Sequence, residues 1–136
     1  MILVDTSVLI EFFKGRRNLK TDLFDEVIAR DIPFGISAFS YQELLQGARD
    51  EREYKRLREY LSTQVIYYPP EGPDIYEKAA RLFFDLRRRG VTVRGSIDLL
   101  IALTAMENKL ILLHNDRDFD AVAAKTPDLK ILLALS

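Results

Sequence analysis

Short apolar runs alternate along the chain with longer stretches whose apolar residues recur every three or four positions. The short runs are typical of strands buried on both faces of a sheet, and the longer stretches of helices that bury one face. We predict strands at residues 2–4, 34–37, 64–68, 110–113 and 131–133. Alternation of this kind predicts an α/β fold with a parallel sheet of about five strands and helices on both faces.

Local signals predict where several helices begin and end. A helix over residues 8–13 follows the first strand, and Gly90 ends a long helix over residues 75–89. Ser40 is predicted to begin the helix after the second strand, with Glu43 three residues later in capping-box spacing. Ser96 is predicted as the cap of a further helix. These elements leave no linker or repeat, so we expect a single three-layer α/β/α domain over residues 1–136.

Composition and charge narrow the possible functions. The 136 residues are 48% hydrophobic and 30% charged, which is ordinary for one globular domain. A net charge of -1 provides no overall positive field for nucleic acid, so any such binding has to be local or assisted by metal. The absence of cysteine excludes disulfides and thiolate ligands and fits a cytoplasmic location. Polar residues interrupt the longest apolar stretch, and we expect neither a signal peptide nor a membrane span.

Four acidic residues lie where a predicted strand gives way to a helix or where a helix begins. They are Asp5, Glu43, Asp98 and Asp116. In a sheet covered by helices on both faces these junctions share one edge, so the carboxylates are expected to meet in one crevice. Taken singly, each acid has an ordinary structural explanation as a helix cap or turn residue.

Taken together, the four acids favour a metal site. Carboxylates about 5 Å apart repel by roughly 3 kcal/mol per pair at an effective dielectric near 20. Protonation or a bound cation relieves that repulsion. Because the candidate ligands are all oxygens, the expected cofactor is Mg²⁺ or Mn²⁺ rather than zinc.

Four segments resemble the motifs of PIN-domain nucleases, in the same order and over essentially the whole chain. They are LVDTSVLIE, SAFSYQELLQGA, GSIDLLIALTA and LLHNDRDFD, which contain Asp5, Glu43, Asp98 and Asp116 respectively. Within that family, size and layout are most similar to the VapC-type toxins of toxin/antitoxin modules. The resemblance implies a metal-dependent endoribonuclease with these four acids as the catalytic and metal-binding set.

The resemblance also assigns roles to neighbouring residues. Metal held by the acids would activate a water for in-line attack on an RNA phosphodiester, so no histidine base is required. Asp118 is a possible fifth ligand, or else a cap for a helix at Phe119. The small polar residues expected to orient the ligands are Thr6, Ser7, Ser96 and Asn115. His114 stands where the family more often has a hydroxyl residue such as Thr, which leaves its contribution open.

Several basic residues are candidates for contact with a substrate, and the family resemblance implies further partners. Arg94 and Arg117 flank the acids and are candidates for phosphate contact, whereas residues 87–89 fit a solvated helix end. The apolar stripe formed by Tyr54, Leu57 and Leu61 is predicted to lie in the core. Any exposed part of it could bind an antitoxin segment or a second copy of the chain. The family implies three partners: an RNA substrate, an antitoxin that fills or blocks the crevice, and a second copy of the chain in a homodimer.

The sequence leaves two alternative functions open. The chain could process RNA without any antitoxin, or it could be a PIN-like module that has lost catalysis and only binds a partner. The second alternative is weakened because none of the four acids is replaced. The RNA substrate and the number of metal ions cannot be read from these motifs.

Overall fold

The computed structural model describes every residue from Met1 to Ser136 and contains five strands and seven helices. The strands are β1 (Ile2–Val4), β2 (Phe34–Ser37), β3 (Val65–Tyr67), β4 (Ile111–Leu113) and β5 (Lys130–Ile131). The helices are α1 (Thr6–Phe13), α2 (Leu19–Ala29), α3 (Ala38–Gln46), α4 (Glu51–Leu61), α5 (Asp74–Arg88), α6 (Ser96–Glu107) and α7 (Arg117–Lys125). All five predicted strands are present; five of their ten ends match the prediction, and the other five differ from it by one or two residues.

The strands form one parallel sheet in the order β3-β2-β1-β4-β5. The chain moves outward from β1 through β2 to β3 and then returns to the other side of β1 for β4 and β5. The order therefore reverses between β1 and β4, and sheets of this kind bind ligands beyond the carboxyl ends of the strands at that reversal. Asp5 directly follows β1, and His114 directly follows β4.

Side chains that alternate along β1 divide the core between the two faces of the sheet. Leu3 packs with Leu112 of β4 among residues of α5, α6 and α7. Ile2 and Val4 point the other way and pack with Phe24 and other residues of α1 and α2. Each face of the sheet is thus covered by helices, which confirms the predicted three-layer α/β/α architecture.

Three predicted helix starts are wrong, and the first of them is that of α1, which begins at Thr6 rather than at residue 8 because Asp5 is its cap. Helix α3 begins at Ala38, because Ser37 is its cap and accepts a hydrogen bond from the Ser40 backbone N–H at 3.0 Å. Ser37 has the extended backbone that capping requires, so Ser40 and Glu43 lie too far inside the helix to form a capping box. Helix α6 is capped by Gly95, and Ser96 is its first residue, with no side-chain capping bond at this end.

The stripe along α4 is less buried than predicted. Only Leu61 belongs to the core, whereas Leu57 is half-buried and Tyr54 is exposed. The reason is that α4 packs mainly against α3, and most of its other side chains are exposed. No helix of the structure combines the length and apolar character that crossing a membrane requires.

Candidate metal centre

Three aspartates form a tight cluster at the carboxyl end of the sheet. Each of Asp98, Asp116 and Asp118 offers a carboxylate oxygen, and these oxygens all lie within 4.8 Å of one another. Asp98 lies in the first turn of α6, Asp116 caps α7, and Asp118 lies in the first turn of α7. The converging amino ends of two helices favour negative charge at this position.

Asp5 and Glu43 lie beside this cluster. Asp5 is buried at the end of β1, where it caps α1 and accepts hydrogen bonds at its Oδ2 from the Ser7 backbone N–H at 3.0 Å and hydroxyl at 2.6 Å. Glu43 projects from α3, and its Oε1 lies 3.4 Å from the Thr6 hydroxyl that donates to it. The charges of Asp5, Glu43 and Asp116 all act on Asp98, so the four acids predicted from the sequence lie close together, although the tightest group includes Asp118 rather than Asp5 or Glu43.

Electrostatic repulsion in the crevice is concentrated on Asp98. Burial raises the pKa of Asp98 to about 7, and the charges of the four surrounding acids add to the effect: Asp5, Asp116, Asp118 and Glu43. An ordinary aspartate is fully ionised at neutral pH, so the metal-free crevice favours protonation of this carboxyl group. A cation bound here would remove that repulsion.

Burial also raises the pKa of Asp5 and of Glu43. For Asp5 the hydrogen bonds from Ser7 act in the opposite direction but do not cancel the loss of hydration. For Glu43 the negative charge of Asp5 adds to burial, and the Thr6 hydrogen bond opposes both. Burial is thus the largest cause of the raised pKa of Asp5, Glu43 and Asp98, and repulsion from neighbouring acids adds to it at Glu43 and Asp98.

The donor atoms of the crevice suit a hard divalent cation. All candidate ligands are carboxylate oxygens, which Mg²⁺ and Mn²⁺ prefer, and the chain has no cysteine to attract softer metals. Asp98, Asp116 and Asp118 are already close enough to share one ion. Asp118 does not cap a helix at Phe119, because α7 begins earlier and Asp116 is its cap.

Arg94 lies against the acids rather than standing free. Its Nε is 3.4 Å from Asp118 Oδ2, and its Nη2 is 3.9 Å from Asp116 Oδ1. The guanidinium group therefore offsets part of the negative charge from the outer side of the cluster. Arg117, the second predicted phosphate contact, is exposed and has no carboxylate partner within 4.0 Å.

Hydrogen bonds from small polar residues connect the acids to the fold. The Ser7 hydroxyl, which donates to Asp5, also accepts from the backbone N–H of Asn115 at 2.9 Å. Asn115 therefore acts through its backbone, and its side chain is exposed. Thr6 reaches Glu43 as described, whereas Ser96 makes no capping contact.

His114 supports the site in a way that sequence reasoning missed. Its imidazole is 1% exposed, packs 5.0 Å from the Phe119 ring, and accepts at Nδ1 a 3.0 Å hydrogen bond from the Asp116 backbone N–H. An acceptor Nδ1 requires the neutral ring, in agreement with burial lowering the pKa of His114. The sequence signal that could have predicted this bond is the polar side chain two residues before Asp116. Asn, Asp, Ser and Thr at such a position accept a hydrogen bond from the backbone N–H two residues later.

A parallel α/β/α fold with an acidic crevice at the reversal of strand order is the arrangement expected of a PIN-domain protein. The sequence matches the PIN domain family over residues 2–125. The chain belongs to the PIN domain family, and the resemblance proposed from its four motifs is confirmed.

Two ribonucleases of the VapC type are similar to this chain over almost its whole length. Over 130 residues the chain is 30% identical to "Ribonuclease VapC11" of Mycobacterium tuberculosis, covering 93% of this chain and 94% of that protein. The same values hold for a "VapC ribonuclease" of Mycobacterium bovis. The chain is therefore similar to VapC proteins within the PIN family.

Solved structures agree with this placement. A chain of a toxin-antitoxin complex from Klebsiella pneumoniae matches with a TM-score of 0.69 and 26% identity over 99% of this chain and 100% of that chain. A chain of VapBC2 from Rickettsia felis, solved with a promoter DNA fragment, matches with a TM-score of 0.70 and 23% identity over 100% of both chains. At that lower identity the second likeness supports the fold only.

Proposed function

We propose that this protein is a metal-dependent endoribonuclease that cleaves phosphodiester bonds in RNA. The observation that carries the proposal is the convergence of Asp98, Asp116 and Asp118 within 4.8 Å at the reversal point of the sheet. Such a cluster of carboxylates suits a nuclease that works through divalent metal. The relatives described as VapC ribonucleases support RNA as the substrate.

We assign catalytic and metal-binding roles to Asp5, Glu43, Asp98 and Asp116, with Asp118 as a further ligand. These residues would hold Mg²⁺ or Mn²⁺, which supplies Lewis acidity toward the phosphodiester and the attacking water. Asp5 is fixed by Ser7, and Glu43 is oriented at the crevice by Thr6.

Histidine has no acid–base role in this proposal. The Nδ1 atom of His114 accepts the Asp116 N–H, and the ring is buried beneath the crevice. Ser7 is the main orienting residue, because one hydroxyl group contacts both Asp5 and the chain at Asn115. Ser96, which was predicted to share this role, has no contact in the structure that supports it.

Cleavage of single-stranded RNA by the purified protein tests the proposal. We expect cleavage with Mg²⁺ or Mn²⁺, loss of cleavage with a chelator, and a rate reduced by about 100-fold or more in Asp98→Asn. Asp128→Asn, at an exposed position remote from the acids, is the matched control and keeps the wild-type rate. Cleavage that persists in chelator or in Asp98→Asn would contradict the assignment.

We also propose that the protein is the toxin of a toxin/antitoxin module and acts in the cytoplasm. Several structural relatives were solved as VapBC or toxin-antitoxin complexes. A groove of about 1220 Å³ runs between α1, α3 and α4 and ends at Glu43. Its apolar side chains, which include Phe13, Leu57 and Tyr60, are bordered by four basic and three acidic residues, and the excess of basic residues suits an antitoxin segment with apolar and acidic side chains.

Co-expression with the product of a neighbouring small reading frame tests the partner. We expect that product to inhibit RNA cleavage by the wild type and to inhibit Tyr60→Asp about tenfold less well, because the substitution places a charge in the groove. Tyr68→Asp, an exposed tyrosine outside the groove, is the control. Absence of any inhibitory partner would favour RNA processing without an antitoxin.

The homodimer implied by the family is tested by light scattering of the purified chain.

A further inference from the structure

A second cavity adjoins the metal centre on the side of β4 and β5. It has a volume of about 580 Å³, within the range of roughly 300–1,000 Å³ typical of small-ligand sites. Its wall includes Asp116, so the cavity and the acidic crevice share a residue. No hydrophobic side chain lines the cavity. The cavity therefore suits the charged backbone of a nucleic acid better than a base, which binds best where aromatic side chains form a stacking platform.

Two cations without carboxylate partners border this cavity. Lys20 Nζ contacts only the carbonyl oxygen of Leu132, at 3.5 Å, and Arg117 makes no salt bridge. By contrast, Arg17, close to Lys20 in the chain, is paired with both Asp22 at 3.0 Å and Asp25 at 3.3 Å. Lys20 and Arg117 are thus available to an anion beside a crevice that is otherwise strongly acidic.

The backbone adds to the positive potential of the cavity. The first turns of three helices reach it, through Ser7 of α1, Lys20 of α2 and Arg117 of α7. Each helix has eight or more residues, and the amino end of a helix dipole attracts anions. These dipoles act in the same direction as the two side-chain charges.

A buried donor also faces the cavity. The Nε2 atom of His114 carries the ring hydrogen, because Nδ1 is an acceptor, and Nε2 has no hydrogen-bond partner in the structure. Asp120 Oδ1 lies 3.1 Å from it in poor alignment for a hydrogen bond, so Asp120 holds this donor only weakly. The Asp120 side chain is 62% exposed and can turn away to leave this donor to a ligand.

We propose that this cavity binds the phosphate next to the scissile one, between the ammonium group of Lys20 and the guanidinium group of Arg117. The RNA strand would then pass from the acidic crevice toward β5. This inference rests on the proposed ribonuclease function and adds a substrate-binding subsite to it. Because the cavity contacts backbone and not bases, it binds single-stranded RNA without preference for a base at this position.

Equilibrium binding of a short fluorescein-labelled single-stranded RNA tests the subsite. Asp98→Asn serves as the background, so that the RNA stays intact. We expect Lys20→Gln and Arg117→Gln each to weaken binding about fivefold at low salt. Each substitution should also reduce the slope of log K against log salt by about 0.7, the value for one lost phosphate contact on a single strand.

Matched variants separate this role from general charge effects. Lys125→Gln removes a positive charge from the far end of α7 and should bind RNA within about twofold of the background protein. Lys20→Arg and Arg117→Lys keep the charge and should retain most of the affinity. In the active protein, Lys20→Gln and Arg117→Gln should raise KM with little change in kcat, because they bind substrate away from the reacting atoms.

The outcomes distinguish this inference from the proposed function. If the wild type cleaves RNA but Lys20→Gln and Arg117→Gln bind RNA as tightly as the background protein, the subsite is wrong and the nuclease assignment stands. A loss confined to kcat, or an equal loss in Lys125→Gln, also overturns the subsite. If the wild type neither binds nor cleaves RNA, both proposals fail.

Discussion

The Ser7 hydroxyl donates a 2.6 Å hydrogen bond to the buried carboxylate of Asp5. The same oxygen accepts a 2.9 Å bond from the Asn115 backbone N–H, which belongs to the segment after β4. One side chain therefore ties the end of β1 to the end of β4, on either side of the point where the strand order reverses. This link adds to the 2.9 Å backbone hydrogen bond from the Asp5 N–H to the Leu113 carbonyl in positioning Asp5 relative to Asp116.

Removal of this hydroxyl should weaken the metal centre. Ser7→Ala leaves both Asp5 Oδ2 and the Asn115 N–H without their hydroxyl partner. We expect a loss of about 1–3 kcal/mol in the free energy of unfolding. We also expect Mg²⁺ affinity to fall by about 10–100-fold, as for other residues that orient metal ligands. Urea unfolding and calorimetric titration with Mg²⁺ measure the two effects.

Ser62→Ala is the control for this prediction. The Ser62 hydroxyl donates a local bond to the Glu59 carbonyl at the end of α4, away from the acids. This variant should keep the metal affinity of the wild type. Equal metal affinity in Ser7→Ala and the wild type would show that Asp5 needs no support from the hydroxyl.

Topology explains why the acids could be placed from the sequence. Asp5 and Asp116 follow apolar strands, and the carboxyl ends of parallel strands meet at one edge whatever the side-chain details. Asp118 is different, because its direction depends on the contact with Arg94, 24 residues away in the chain. No local pattern encodes that contact. From the sequence alone, Asp118 could therefore be either a helix cap or a metal ligand.

Burial of Asp98, together with repulsion from the neighbouring acids, should make the metal-free protein sensitive to pH. The pKa of Asp98 is about 7 in the folded chain and near its ordinary value of 3.8 when unfolded. Between these values the folded state keeps a proton that the unfolded state releases, so stability falls as pH rises from about 4 to 7. Above pH 7 the full cost of the charge is present.

Asp98→Asn should remove the contribution of Asp98 to this dependence and leave the contributions of Asp5 and Glu43, whose pKa values are also raised. In chelator at pH 8 we expect the variant to melt at a higher temperature than the wild type, by about 3–5 °C for each kcal/mol of repulsion relieved. The difference should shrink toward pH 4, and Asp128→Asn should show no such difference. A lower melting temperature for Asp98→Asn at pH 8 would mean that its carboxylate is not repelled in the folded state.

Metal binding should show the opposite dependence on pH. An ion binds the deprotonated carboxylate, so Mg²⁺ affinity should rise up to about tenfold per pH unit below pH 7 and level off above it. Calorimetric titration in two buffers with different heats of ionisation measures the proton released. Affinity that is constant from pH 6 to pH 8, with no proton released, is incompatible with a raised pKa at Asp98.

Helix starts show the limit of local sequence signals. Ser37 and Ser40 both have capping chemistry, and Glu43 gave the later serine the appearance of a capping box. The structure selects Ser37 because β2 delivers the chain to it in an extended conformation. The choice depends on where the strand ends, and the two serines do not reveal that themselves.

Close packing at Gly35 predicts a specific defect in the sheet. A Cβ atom added there would lie 2.6 Å from the Tyr67 ring and 2.9 Å from the Val65 carbonyl oxygen on neighbouring β3. Because the second contact is backbone, the strands would have to separate, at a cost of about 1–3 kcal/mol for Gly35→Ala. Gly47→Ala, where the nearest atoms are at 3.5 Å, is the control and should change stability by under about 1 kcal/mol in urea unfolding.

His114 should be replaceable by a residue that can accept the same hydrogen bond. Its Nδ1 accepts the Asp116 N–H, and an Asn side chain can accept from the N–H two residues on. His114→Phe fills the space against Phe119 but leaves that N–H unpaired, at about 1–3 kcal/mol. We therefore expect His114→Asn to retain more Mg²⁺ affinity than His114→Phe, although phenylalanine fits the apolar surroundings better. If the order is reversed, packing rather than the hydrogen bond to Asp116 determines the contribution of His114.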